Sequence, residues 1–265
     1  MATLFLTTQE HIKVVKKLKN LAKSVPKKQI QPQHPAGIYY ISLMQCFLLH
    51  NLSITNSLLI LRKRYGLKWF PVNIGYILAR SLFETEVTAH YISLKPTEYS
   101  ELYIKYNYIL KKKEMDFCKK HRNSQDPQWR ESSVLEWQHR FEKEESKINE
   151  NYNKIKGLFV SEKKWSGKDL YQMAIDVDHQ EAYESFYSKL STHAHPTIKM
   201  ADRYLKIKPN GLVWSLQSNE LEVGDVFSNV ASFLTCFLTL YSKEFKTWKE
   251  EDVIKCWNVK RIDKE

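Results

Sequence analysis

Glycine and proline are scarce, at seven and eight in 265 residues. An all-β protein of this length needs many more turns, so the composition points to helices. Cysteine is rarer still. Cys46, Cys118, Cys236 and Cys256 lie far apart, and none forms a Cys-x-x-Cys pair, which argues against a zinc knuckle. Cys46 and Cys236 sit in apolar runs and read as packed thiols; a reduced, cytoplasmic setting fits. A glycine-rich phosphate loop is absent, because Gly167-Lys168 lacks the upstream glycine of a P-loop, and no Gly-x-Ser-x-Gly elbow occurs. The first ten residues lack the basic start and long apolar centre of a secretory signal. Neither apolar stretch, 38–61 or 226–241, reads as a membrane span. The first carries Gln45, His50 and Asn51, and the second falls short of the about 20 apolar residues a span needs. No membrane partner is expected.

What the chain has is apolar mass and positive charge. Hydrophobic residues make up 43%, enough for a core, and 41 basic against 30 acidic residues leave a net charge of +11. That sign favours RNA or another polyanion as partner, although a lysine-rich surface serves solubility equally well. Thr7-Thr8-Gln9-Glu10 is a capping arrangement, and Ile12, Val15, Leu18 and Ala22 follow at helical spacing among lysines, giving a basic amphipathic helix over 7–24. Pro26, Pro32, Pro35 and Gly37 then mark a linker. The apolar run 38–65 predicts a long buried helix, stopped by Arg62-Lys63-Arg64-Tyr65-Gly66. Prolines 71 and 96 open helices over 72–94 and 97–122, and Asp126-Pro127 caps a charged one over 128–157. The last two predict a projecting antiparallel hairpin, 97–157, with a charged surface able to take a protein partner. Shorter helices are expected at 169–176, 179–195 and 197–206, a loop or small hairpin at 207–219 around Pro209-Asn210-Gly211, and a buried helix at 220–247, with Trp257 docking the tail. The fold class is therefore all-α: one helical bundle over residues 1–265, with the basic helix and linker at 1–37 and the charged hairpin inside it.

Residues 183–196 concentrate the chemistry. At helical spacing Glu184, Tyr187, Ser188, Ser191 and His195 share a face, and such a polar face is costly to bury unless it lines a satisfied network or a working site. His195-Pro196 ends or kinks that helix. In the helix 72–94, Arg80 and Glu84 sit one turn apart among Ile77, Leu78, Leu82, Phe83 and Val87, either as an organising ion pair or as a guanidinium presented to phosphate. No cofactor and no metal are expected. Glu136-Trp-Gln-His139 is a lone Glu-x-x-His where a di-metal bundle needs two, and His193 and His195 diverge by roughly 200° on a helix. The remaining chemistry is acid–base: His195 as acid or base, Arg80 holding phosphate and Glu84 orienting it, so that an RNA 2′-hydroxyl attacks its own phosphate.

Three pieces in order, Arg-Ser-Leu-Phe-Glu at 80–84, Trp-Ser-Gly-Lys-Asp-Leu at 165–170 and Tyr-x-x-Phe-Tyr-Ser-Lys-Leu-Ser-Thr-His-Ala-His-Pro at 183–196, resemble a bacterial all-helical family of unknown function over roughly residues 38–245. The resemblance implies that the Arg/Glu pair, the Trp-x-Gly-Lys loop and the Ser-x-x-x-His helix end share one site. Trp165, Lys168, Tyr187, Ser191 and His193 would then bind ligand beside catalytic Arg80, Glu84 and His195. A looser similarity is to HEPN domains, helical RNases of toxin–antitoxin and antiphage systems, which carry Arg four to six residues before His on one helix. Here no Arg precedes His193 or His195 at that distance, and Lys189 or Arg80 from another helix would have to stand in. Two expectations follow. One is a HEPN-like, metal-independent RNA-processing or RNA-binding protein of stress or phage defence, an endoribonuclease in its enzymatic form. The other is a non-enzymatic sensor or adaptor, with a ligand near Arg80 and His195 or a protein on 97–157. A homodimer is compatible with either.

Overall fold

The computed structural model describes residues 6–25, 34–159, 164–187, 189–191, 205–208, 211–214 and 217–259. Among the described residues the fold is all-α apart from one short pair of antiparallel strands. It divides into two compact units, one of Met1–Leu94 with Leu170–Glu265, the other of Lys95–Asp169.

The first unit is built on helix α9 (Glu220–Phe245), which packs against α1 (Thr8–Lys23), α2 (Gly37–Tyr65), α3 (Val72–Leu94) and α10 (Glu250–Lys255). Its sequence explains that position. Val223, Val226, Phe227, Val230, Ala231, Leu234, Phe237, Leu238 and Tyr241 are buried, and Asn219 with Glu222 forms a capping box at its start. Helices α2 and α9 are each long and apolar enough to cross a membrane, yet 67% of the most apolar window of α9 is buried within this fold, as a core helix requires. Helix α3 reaches α9 by close approach. A Cβ on Gly75 would stand 2.8 Å from Phe70 and 3.0 Å from Val226.

The N-terminal cap forms as its residues suggest: Glu10 N–H donates to Thr7 Oγ1 and Thr7 N–H to Glu10 Oε2. Next to it the Thr8 hydroxyl donates to the Glu220 carbonyl at 3.1 Å and ties α1 to the start of α9. Gly66, at φ +69°, ends α2 after its basic last turn, its amide donating to the Arg62 carbonyl. Trp257 does dock the tail, its indole N–H donating to Thr235 Oγ1 at 2.9 Å.

Three expectations change. Cys46 and Cys236 are exposed and Cys118 and Cys256 buried, the reverse of packed thiols in the two apolar runs. Residues 205–206, expected at the end of a helix, begin β1 (Leu205–Lys208). It pairs antiparallel with β2 (Gly211–Trp214) in the register Leu205 opposite Trp214. The rest of the stretch 197–204 lies outside the described residues.

The third change is in the second unit, where 128–157 is not one helix. Helix α5 (Pro127–Glu136) runs into a π-helical turn at Trp137–Phe141, and α6 (Glu145–Ile155) starts afresh. The break lets Trp137 and Phe141 both turn inward. With Met115, Cys118 and Ile148 they form the unit's own apolar core. Helix α4 (Pro96–His121) packs against α5 and α6, and Lys111–Glu144, Lys119–Glu145 and Arg140–Glu114 ion pairs surround the core.

Candidate functional site

Helix α3 carries the polar groups, and α7 (Leu170–Asp176) and α8 (Gln180–Ala182, continued by a π-helical turn through Tyr187) supply their partners. Helix α7 lays Met173 and Ala174 against α3. The chain then turns through Asp178 at φ +60°, a conformation Asp tolerates better than most residues, and the His179 amide closes onto the Ala174 carbonyl. This tight turn brings the His179 side chain back to α3.

The first polar group is Arg80, Glu84 and Tyr187. Arg80 Nε donates to Glu84 Oε1 at 2.8 Å, and its Nη2 donates to the Tyr187 oxygen at 2.7 Å. The Tyr187 hydroxyl in turn donates to Glu84 Oε1 at 3.0 Å, closing a three-membered ring of hydrogen bonds. The guanidinium carbon lies 4.8 Å from the centroid of the Tyr187 ring, which itself stacks on Tyr183 and packs against Phe83. Burial works against the charge on Arg80, but Glu84 and then Tyr187 outweigh it and raise its pKa. Burial, and after it Glu84, raises the Tyr187 phenol and keeps it a donor. Among the described residues Arg80 Nη1 has no hydrogen-bond partner, and a quarter of the side chain is exposed. The arrangement therefore holds a guanidinium in fixed orientation with one edge to offer.

The π-helical turn changes which residues share this face. With hydrogen bonds spanning a step of five residues rather than four, Tyr187 reaches Arg80 while Glu184 turns away to accept from the Tyr171 hydroxyl and Gln180 Nε2. Gln180 first, and Tyr171 with it, hold the Glu184 carboxyl below its ordinary pKa. Ser191 Oγ is buried and has no hydrogen-bond partner among the described residues. His193 and His195 lie outside the described residues. Trp165 and Lys168 belong to the second unit. There Trp165 packs edge-on to Tyr99 and Tyr103, and the Lys168 amide donates to Ser166 Oγ at 3.1 Å. Of the sequence-predicted site residues, then, Arg80, Glu84 and Tyr187 meet.

A second polar group was missed. Glu86 is 2% exposed, and its carboxylate lies 3.0 Å from His179 Nδ1 and 3.3 Å from His90 Nε2. Its carboxylate hydrogen bond, ahead of the opposing burial, raises the His179 pKa. Burial lowers that of His90, with Glu86 opposing. Glu86-x-x-x-His90 is a one-turn pair visible in the sequence, but its third member comes from a turn 93 residues after Glu86.

Residues 43–212, more than half of the chain, match the family of unknown function DUF5677. The chain belongs to that family. The DUF5677 region holds α3, α7, α8 and both polar groups, and ends within β2. No curated protein and no solved structure matches the chain.

Proposed function

We propose that the protein binds RNA or another phosphate-bearing polyanion at Arg80, as a HEPN-like, metal-independent RNA-binding or RNA-processing protein of stress or phage defence. One observation carries the reading: the Arg80 guanidinium, oriented by Glu84 on Nε and Tyr187 on Nη2, has an Nη1 edge without a partner among the described residues. Such a group is pre-organised for a phosphate oxygen and loses little freedom on binding. The +11 net charge draws a polyanion toward it. In the enzymatic form His195 would take the proton of a 2′-hydroxyl, whose oxygen attacks the adjacent phosphorus as the bond to the 5′-oxygen breaks; a 2′,3′-cyclic phosphate forms, the 5′-oxygen leaves as a hydroxyl with a proton from solvent, and Arg80 balances charge on the phosphoryl oxygens.

The test is direct. Purified full-length protein is mixed with labelled single-stranded RNA at low salt in the presence of EDTA. Binding should follow, weakened at least about tenfold, near 1.4 kcal/mol, in Arg80→Ala. Cleavage, where present, should vanish in His195→Ala without loss of binding. Protein that neither retains nor cuts RNA ends this reading.

A second reading draws on the separate apolar core of Lys95–Asp169, which supports a stable charged surface for a protein partner on 97–157. It requires Arg80→Ala to act through stability alone.

A further inference from the structure

Glu86 poses a problem that the Arg80 reading does not touch. A carboxylate excluded from water needs compensation, and here two imidazoles aim at it from different elements. His90 sits one turn along α3, and His179 comes from the turn between α7 and α8. The ligand-bearing atoms of the three residues lie within 4.8 Å of one another, and the two rings are 4.8 Å apart at 56°, converging rather than stacked. Glu86 Oε1 and His90 Nε2 are buried, and among the described residues neither makes a hydrogen bond of good geometry, although they face each other.

We infer that Glu86, His90 Nε2 and His179 Nδ1 form a binding site for one first-row divalent transition-metal ion of the zinc class. The donor set is two imidazole nitrogens and one carboxylate, which suits Zn²⁺ with a fourth position left for water. The spacing agrees. Four-coordinate zinc with bonds of about 2.1 Å keeps its ligands about 3.4 Å apart. The Glu86–His179 and Glu86–His90 separations, 3.0 and 3.3 Å, are close to that edge already. Only the histidine pair has to close, through ring rotation. His90 and His179 are 24% and 21% exposed and Glu86 2%, so the group lies just beneath the surface with its carboxylate innermost. The ion would bind the α7–α8 turn to α3. It uses no residue of the Arg80 group, so the metal site stands whether or not the protein binds RNA.

Untagged full-length protein, stripped with chelator and dialysed, is titrated with Co²⁺ and followed by visible absorption, then challenged with Zn²⁺. One equivalent should bind with the intense bands of a four- or five-coordinate site, and Zn²⁺ should displace it. His90→Ala and His179→Ala should each weaken binding at least about tenfold, whereas Arg80→Ala, the variant that tests the RNA reading, should bind as the parent does. X-ray absorption of the zinc form should show nitrogen and oxygen ligands with imidazole scattering, a readout that needs no variant to fold. Absence of stoichiometric binding, sulfur in the first shell, or parental affinity in both folded histidine variants overturns the inference.

Discussion

At the scale of single residues, Tyr187 decides what Arg80 can do. Its hydroxyl accepts from the guanidinium and donates to Glu84, and its ring lies beside the cation. Tyr187→Phe keeps the ring and removes both hydrogen bonds. Because Glu84 is 40% exposed and water can replace the lost partner, the stability cost should be small, about 0.5–1 kcal/mol by urea unfolding. RNA affinity should fall less than in Arg80→Ala, since the charge and the Glu84 contact to Nε persist. An affinity loss equal to that of Arg80→Ala would mean that the hydroxyl, not the cation, makes the contact. The Arg80–Glu84 pair was legible because both members fall one turn apart on a helix bounded by prolines 71 and 96. Tyr187 was placed beside Arg80 and Glu84 by the family resemblance, whereas Glu184, expected on the same face, turns away through a π-helical turn that has no sequence signature.

At the scale of elements, the joins of α9 to its neighbours are the sensitive places. Helix α3 meets it at Gly75, where a branched side chain would stand within 3.0 Å of both Phe70 and Val226. Gly75→Val should therefore overpack the contact and lower stability by about 1–3 kcal/mol, measured as a shift of the denaturation midpoint without change of slope. Thr7→Ala should cost about 1 kcal/mol through the lost cap of α1. Elements with strong punctuation were readable: α3 is found at 72–94 as expected, and α4 starts at Pro96, one residue before the predicted 97. The stretch 128–157 was not, because charges run through it without glycine or proline until Gly157, and only the inward turn of Trp137 and Phe141 breaks it. His179 was missed for a related reason. The left-handed turn at Asp178 that aims it is a property of the folded backbone, whereas the Glu86/His90 half of the group lies in plain sight on α3.

At the scale of the whole molecule, charge is the property that separates a phosphate contact from a packing role. Each phosphate neutralised on a single strand releases bound counterions, so the logarithm of affinity falls against the logarithm of salt concentration by about 0.7 per contact. With a net charge of +11, RNA binding should weaken steeply as salt rises. The slope carries more information than the affinity. If Arg80 contacts phosphate through its Nη1 edge, Arg80→Ala should lower affinity and also flatten the slope by about 0.7. If Arg80 only braces α8 against α3 through Tyr187 and Glu84, the variant should weaken binding in proportion to the unfolded fraction and leave the slope of the folded protein unchanged. Titrations of the parent and Arg80→Ala proteins at four or more salt concentrations, with the folded fraction of each fixed by circular dichroism, distinguish the two. A parallel pair of lines would move Arg80 from the binding surface into the scaffold.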